Sequence, residues 1–294
     1  MKRIFITGCA TGFGAGLARQ CLNDGWHVIA TDVDVSRLDH LADTGSPHLT
    51  VLPLDVRDPV QVKHAAEQAG EVDVLVNNAG YAVFGTIEES DLAAIADMFD
   101  VNVMGLSRVT QALLPTLRQR SGTVVNLSSV AGRMAFPESG YYAATKHAVE
   151  AISEALYAEC AGFGVRVVVI EPGSFDTQFL PTALERSLPR SNESPYAAAQ
   201  GQWDTVKQAV LEPPQAREAV IDAIVAAVEN GLQFQRVVVG PDSARILQAV
   251  DQYGRSGFAR LLAHHSSGAP VYEQAGDATS PDALNPVLRP RGSK

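Results

Sequence analysis

Cysteine is scarce in this chain: three in 294 residues, Cys9, Cys21 and Cys160, widely spaced and with no CxxC pair. That odd set supports neither a disulfide framework nor a zinc site, and it fits a reducing, cytoplasmic setting. The seven histidines show no metal-ligand spacing, so no metal is expected. Basic residues are outnumbered, 23 Lys and Arg against 33 Asp and Glu for a formal charge of -10. That excludes the basic face of a nucleic-acid binder. No apolar run approaches the length needed to cross a bilayer, so no membrane partner is expected. The opening MKRIFITGCA looks a little like a lipoprotein cleavage site, but its apolar run, from Ile4 to Ile6, is too short for a signal peptide. No GxSxG elbow occurs, which leaves serine-hydrolase chemistry without support.

What the chain does contain is a rhythm. Hydrophobic residues make up 46% and charged residues 19%, enough apolar side chain for a sizeable core. Short β-branched runs at 3–7, 27–31, 49–52, 72–77, 123–127, 165–170 and 236–239 read as strands. Several are almost wholly apolar, as strands covered on both faces must be. Helical patterns fill the gaps at 14–23, 60–69, 92–118, 142–161 and 216–229. Strand, helix, strand in repetition requires right-handed crossovers and a parallel sheet with helices on both faces. Two regions break the rhythm. Residues 173–212 lack a strand and carry scattered aromatics, the composition of a lid or of a surface helical excursion. Residues 264–294 form a C-terminal extension rich in Ser, Gly, Pro and Asp, expected to be partly disordered. The domain proper is expected over residues 1–263.

The first strand leads directly into Thr7-Gly8-Cys9-Ala10-Thr11-Gly12-Phe13-Gly14 and then a helix. Glycines 8, 12 and 14 allow a tight turn and close approach to a diphosphate, and the helix that follows offers free N–H groups and its positive end. The second strand ends at Asp32. An acid there can accept hydrogen bonds from both ribose hydroxyls of NAD and would repel the extra phosphate of NADP. No Arg or Lys stands in the glycine loop or at positions 31–36 to bind that phosphate. The competing explanation is that Asp32 or Asp34 caps the helix starting near Ser36.

Taken together, the motifs resemble those of the short-chain dehydrogenase/reductase family over roughly residues 2–240. The glycine loop reads TGxxxGxG, and Asn77-Asn78-Ala79-Gly80 matches the family's NNAG. Tyr142 and Lys146 form YxxxK, Ser129 precedes Tyr142 by the family's usual interval, and Pro172-Gly173 with Thr177 follows strand six. The resemblance implies one doubly wound α/β domain with a seven-stranded parallel sheet, and Asp32 makes NAD the expected cofactor ahead of NADP. It implies cofactor contacts from Gly8, Thr11, Gly12, Phe13, Gly14, Asp32, Asp55, Val56, Asn78, Ala79, Gly80, Tyr142, Lys146, Pro172, Gly173 and Thr177. Asp55-Val56 would meet adenine and Thr177 the nicotinamide carboxamide. Ser129 would hold the substrate oxygen, with Ser128 its rival, and Asn102 would anchor a water leading to the lysine. A homodimer or homotetramer built on 92–118 and 142–161 is implied as well.

The chemistry also has its own physical logic. Oxidising a secondary alcohol removes a hydroxyl proton while a hydride leaves the same carbon. A tyrosine titrating near pH 10 is a poor base at neutrality, and an adjacent ammonium favours its phenolate. Tyr142 and Lys146 are four apart and so share a helix face, which Tyr141 does not. The small-molecule alcohol or ketone is expected to meet an apolar pocket formed by Phe175, Phe179, Leu180, Leu184, Tyr196 and Trp203. Two alternatives stand beside this reading. A non-catalytic cofactor-binding sensor or scaffold would have no need of the intact Asn102, Ser129, Tyr142 and Lys146 set. A nucleotide-sugar epimerase or dehydratase of the extended branch would carry a different glycine spacing.

Overall fold

The computed structural model describes residues 1–211 and 214–267. In chain order it comprises β1 (Arg3–Thr7), α1 (Gly12–Asn23), β2 (His27–Asp32), α2 (Asp39–Ala42), β3 (Leu49–Pro53), α3 (Pro59–Ala69), β4 (Val74–Asn77), α4 (Leu92–Phe99), α5 (Leu106–Gln119), β5 (Thr123–Leu127), α6 (Gly140–Cys160), β6 (Arg166–Pro172), α7 (Phe179–Arg186), α8 (Ala197–Val210), α9 (Glu218–Asn230), β7 (Phe234–Val239) and α10 (Pro241–Ser267). The seven strands form one parallel sheet in the order β3-β2-β1-β4-β5-β6-β7. The expected doubly wound architecture is what the chain adopts.

Side-chain alternation in β1 shows why both faces are covered. Ile4 and Ile6 enter an apolar layer with Leu17 and Cys21 of α1 and Ile221 and Ile224 of α9. Phe5, pointing the other way, joins Val62 of α3, Leu113 of α5 and Leu156 of α6. Each fully buried side chain of this size contributes about 1.5–3 kcal/mol. Helix starts are fixed locally: Asp58 accepts from the amides of Val60 and Gln61 with Pro59 in the first turn, and Asp91 accepts from Ala93. Because the strand order reverses between β1 and β4, a crevice opens above their carboxyl ends.

Three details differ from the sequence expectation. The stretch 92–118 is not one helix: a π-helical turn, Asp100–Gly105, separates α4 from α5. The segment 173–212 contains two helices, α7 and α8, and its last residue, Glu212, lies outside the described residues. The boundary expected at 263/264 falls inside α10, which continues to Ser267; residues 268–294 lie outside the described residues. α10 bends at Gly254 and packs against α8 through Ile246, Leu247, Val250, Phe258 and Val206. Among the described residues no helix is long and apolar enough to cross a membrane.

Candidate active site

The glycine turn sits at the mouth of the crevice, where β1 gives way to α1. A Cβ on Gly14 would fall 2.2 Å from the Gly8 carbonyl oxygen, so the first turn of α1 closes onto the loop only because that position is bare. Thr11 precedes α1 without a side-chain capping bond, and the first turn holds no acidic residue. The leading amides and positive end of α1 are therefore free of competing anionic side chains, as a diphosphate requires. Asn78 fixes the loop from β4, its Nδ2 donating to the carbonyls of Thr7 at 2.8 Å and Gly8 at 2.9 Å. The Thr7 hydroxyl accepts from the amides of Asn78 and Ala79. Asn77 ties the sheet one layer deeper, donating to Thr110 and to Asn126 of β5.

At the end of β2, Asp32 accepts from the amide of Ala10 at 2.8 Å and from that of Asp34 at 3.3 Å. Its carboxylate thus stands beside the glycine turn. The capping role belongs to Asp34, which accepts from the Ser36 amide at 3.1 Å. These features fit a dinucleotide: a bare turn, an open helix start and an acid at the neighbouring strand end. Asp55, expected near adenine, is engaged by its neighbour, its carboxylate accepting from Nε and Nη2 of Arg57. That hydrogen bond holds the Asp55 carboxyl below its ordinary range. Val56 is buried in the apolar layer beneath α5.

Across the crevice lie Ser129, Tyr142 and Lys146. Ser129 directly follows the end of β5 and Ser128. Its hydroxyl accepts from the Ala131 amide at 3.2 Å and donates to the Pro172 carbonyl at 3.4 Å, and it stands near enough to Tyr142 to favour the phenolate. Ser128 is turned the other way, its hydroxyl buried without a partner among the described residues. Of the two serines, then, Ser129 reaches the tyrosine. Lys146 is buried one turn along α6, its Nζ 5.8 Å from the Tyr142 ring centroid and donating to the Leu127 carbonyl at 2.7 Å.

The electrostatics qualify the expected partnership. Burial pushes the Tyr142 phenol up, and Ser129 only partly opposes it. Burial also lowers the Lys146 ammonium to about 8, with Glu150 pulling the other way. Among the protein's own groups, desolvation decides the phenol. The Lys146 Nζ is committed to the Leu127 carbonyl.

Asn102 occupies the π turn between α4 and α5. Its Oδ1 accepts from the Tyr81 amide at 3.0 Å, while its Nδ2 donates to the Tyr81 carbonyl at 2.8 Å and to Thr145 at 3.2 Å. Thr145 in turn donates to the Tyr142 carbonyl at 2.7 Å. Asn102 is thereby joined to the first turn of α6 and to the chain just past Gly80. An uninterrupted helix would have rotated that side chain elsewhere.

Of the six lid residues expected to form an apolar pocket, Phe179 stands beside the tyrosine, ring centroids 5.4 Å apart. Phe175 does not belong there. It packs edge-to-face on Phe13 and joins the core beneath the sheet. Tyr196 and Trp203 stack on each other, with the Tyr196 hydroxyl donating to Glu88, and Leu180 and Leu184 are exposed. The second ring on Tyr142 comes from Phe84, 6.3 Å away and missed in the sequence. Its signal was the apolar run Tyr81-Ala82-Val83-Phe84 immediately after NNAG. Thr177 lies across from the glycine turn, its Cβ 3.6 Å from the point a Gly12 Cβ would occupy.

Comparison with known proteins places this arrangement in context. A family model described as short chain dehydrogenase matches residues 2–187. An oxidoreductase of Botryotinia fuckeliana is 32% identical over 265 residues, covering 85% of this chain and 96% of that protein. The mitochondrial D-beta-hydroxybutyrate dehydrogenase of Mus musculus is 37% identical over 224 residues, and this chain spans 62% of its length. A short-chain dehydrogenase structure from Streptomyces avermitilis superposes with a TM-score of 0.76 at 32% identity, covering 91% of this chain and 97% of that one. One from Burkholderia cenocepacia, in complex with NADP, superposes at 0.72 with 26% identity, covering 89% and 99%.

Proposed function

The chain belongs to the short-chain dehydrogenase family, and from that premise we propose that it interconverts an apolar secondary alcohol and its ketone with NAD(H), Tyr142 moving the proton. The observation that carries this reading is the gathering of Ser129 and buried Lys146 about Tyr142, set across the crevice from the glycine turn. A nicotinamide dinucleotide bound over Gly8, Gly12, Gly14 and Asp32 supplies the hydride acceptor or donor. In the reductive direction Tyr142, held protonated by burial, donates its phenolic proton to the nascent alkoxide, while Ser129 hydrogen-bonds the same oxygen and stabilises its charge. In the oxidative direction Tyr142 must lose that proton first, and Lys146 supplies positive charge one helical turn away. Asn102, held by Tyr81 and Thr145, links this pair to the π turn. Phe84 and Phe179 on either side of the Tyr142 ring favour an apolar substituent on the carbinol carbon.

Asp32 supports NAD over NADP because its carboxylate would face a 2′-phosphate with like charge. The test is absorbance of the reduced nicotinamide during turnover of a panel of secondary alcohols and ketones with both cofactors. Preference for NADH and larger apolar ketones supports the proposal. Equal use of NADPH would remove the role given to Asp32. Phe179→Ala that leaves the order of substrates unchanged would remove the apolar wall.

A further inference from the structure

β6 ends at Pro172, whose carbonyl lies against Ser129, and the loop after it carries Thr177, which faces the glycine turn. It has little local structure to hold it. The strongest restraint comes from a distant residue that sequence reading passed over. Asp242, in the first turn of α10, is fully buried. One carboxylate oxygen accepts from the Ser174 amide at 2.8 Å; the other accepts from the Ser243 amide at 2.9 Å and lies 3.5 Å from Nε2 of Gln215. Three chain segments thus meet on one carboxylate: the loop after β6, the approach to α9 and the start of α10. Gln215 reinforces the junction through its backbone, exchanging bonds with Ser174 and Asp176. The carboxylate also occupies the space above Gly173, where a Cβ would fall 2.2 Å from Oδ1, and abuts Gly240, where a Cβ would fall 2.7 Å away.

We propose that Asp242 is a positioning residue that fixes the 172–177 loop and, through it, the seat of the nicotinamide end of the cofactor against Ser129 and Tyr142. The inference rests on the dinucleotide site proposed above. Its physical basis is that an anion buried among N–H donors has one low-energy arrangement, so the loop it binds inherits that rigidity. Displacing reacting groups by about 1 Å costs on the order of a hundredfold in rate. The adenosine end, assigned to Asp32 at the end of β2, depends less on this loop, which meets the glycine turn only through Thr177 and Phe175.

The experiment compares wild type with Asp242→Asn and Gly173→Ala. Asp242→Asn turns a donor toward amides that need an acceptor; Gly173→Ala forces the loop off the carboxylate from its other side. Fluorescence titration gives the affinity for NADH and the competing affinity of ADP-ribose, which lacks nicotinamide. Stopped-flow and steady-state absorbance give kcat per cofactor-binding molecule. We expect kcat to fall at least about tenfold and NADH affinity to weaken severalfold, with ADP-ribose affinity falling clearly less, in both variants. Equal loss of NADH and ADP-ribose affinity, or an unchanged kcat per binding site, overturns the proposal. If Asp242→Asn yields no folded protein, Gly173→Ala decides by the same criteria. Should wild type turn over no alcohol or ketone, the functional reading fails while the NADH-against-ADP-ribose comparison still judges Asp242.

Discussion

At the scale of single residues, the site works by setting burial against hydrogen bonding. Tyr142 is buried beside Phe84 and Phe179, and that burial favours its protonated form while Ser129 favours the phenolate. Tyr142→Phe removes the proposed proton donor and leaves the packing. It should lower kcat about a hundred- to ten-thousandfold with NADH affinity intact, measured by absorbance and fluorescence titration. Retained turnover would assign the proton to another group. At the other end of the crevice, Asp32→Ala removes the acceptors proposed for two ribose hydroxyls. Charge-assisted hydrogen bonds are worth about 1.5–3 kcal/mol each, so kcat/KM for NADH should drop tenfold or more while that for NADPH holds or rises. An unchanged ratio between the two cofactors would contradict the assignment.

At the scale of elements, the proposed lid is fastened by charge as well as by the apolar contact of α8 with α10. Glu138, in the loop leading to α6, has a buried side chain that accepts from Arg190, just beyond α7, and from Lys207 of α8. Asp204 adds a second carboxylate on Arg190. Glu138→Gln should loosen this fastening without touching Tyr142. The expected result is a severalfold rise in KM for ketone, little change in kcat, and faster proteolytic cleavage between α7 and α8. Unaltered cleavage and KM would mean that packing alone secures the lid. The π turn illustrates the same scale differently: it converts what would be one long helix into a device for aiming Asn102 at Tyr81 and Thr145.

For the whole molecule, a charge cluster around buried Glu171 joins the far edge of the sheet to α6. Arg236 of β7 donates to Glu150 and Glu154 of α6 and pairs with Glu171 of β6. Arg133, beside the turn after Ser129, pairs with Glu171 and with Asp251 of α10. Burial, followed by the nearby Glu150 charge, raises Glu171 from its ordinary 4.5 to about 7, against the pull of Arg133 and Arg236. The folded protein therefore binds a proton at Glu171 that the unfolded chain releases above about pH 4.5. This contribution to stability is fully present below that pH and is lost as pH rises through about 7. Thermal midpoints from pH 5 to 8 should decline from this source, and Glu171→Gln should flatten the decline. A variant with the wild-type slope would place the titration elsewhere.

Much of this was legible in the residue order because it depends on local rules. Alternating apolar runs and helical patterns dictate a parallel sheet covered on both faces. A glycine turn followed by an uncapped helix dictates an anion cradle, and a four-residue interval puts Tyr142 and Lys146 on one helix face. The first strand shows how direct this is, for Ile4 and Ile6 against Phe5 already separate the two apolar layers. What escaped were relations between residues far apart in the chain. Phe175 has the composition of a pocket residue, yet it packs beneath the sheet on Phe13. Phe84, not singled out, lies on Tyr142. Asp242 comes 69 positions after Gly173, and nothing in its neighbours marks it as the residue that holds the cofactor-side loop. Local periodicity determines which faces are buried and where the chain turns. Only the folded chain decides which buried donor meets which distant acceptor, because that choice is made by the packing of whole elements and leaves no repeat in the sequence.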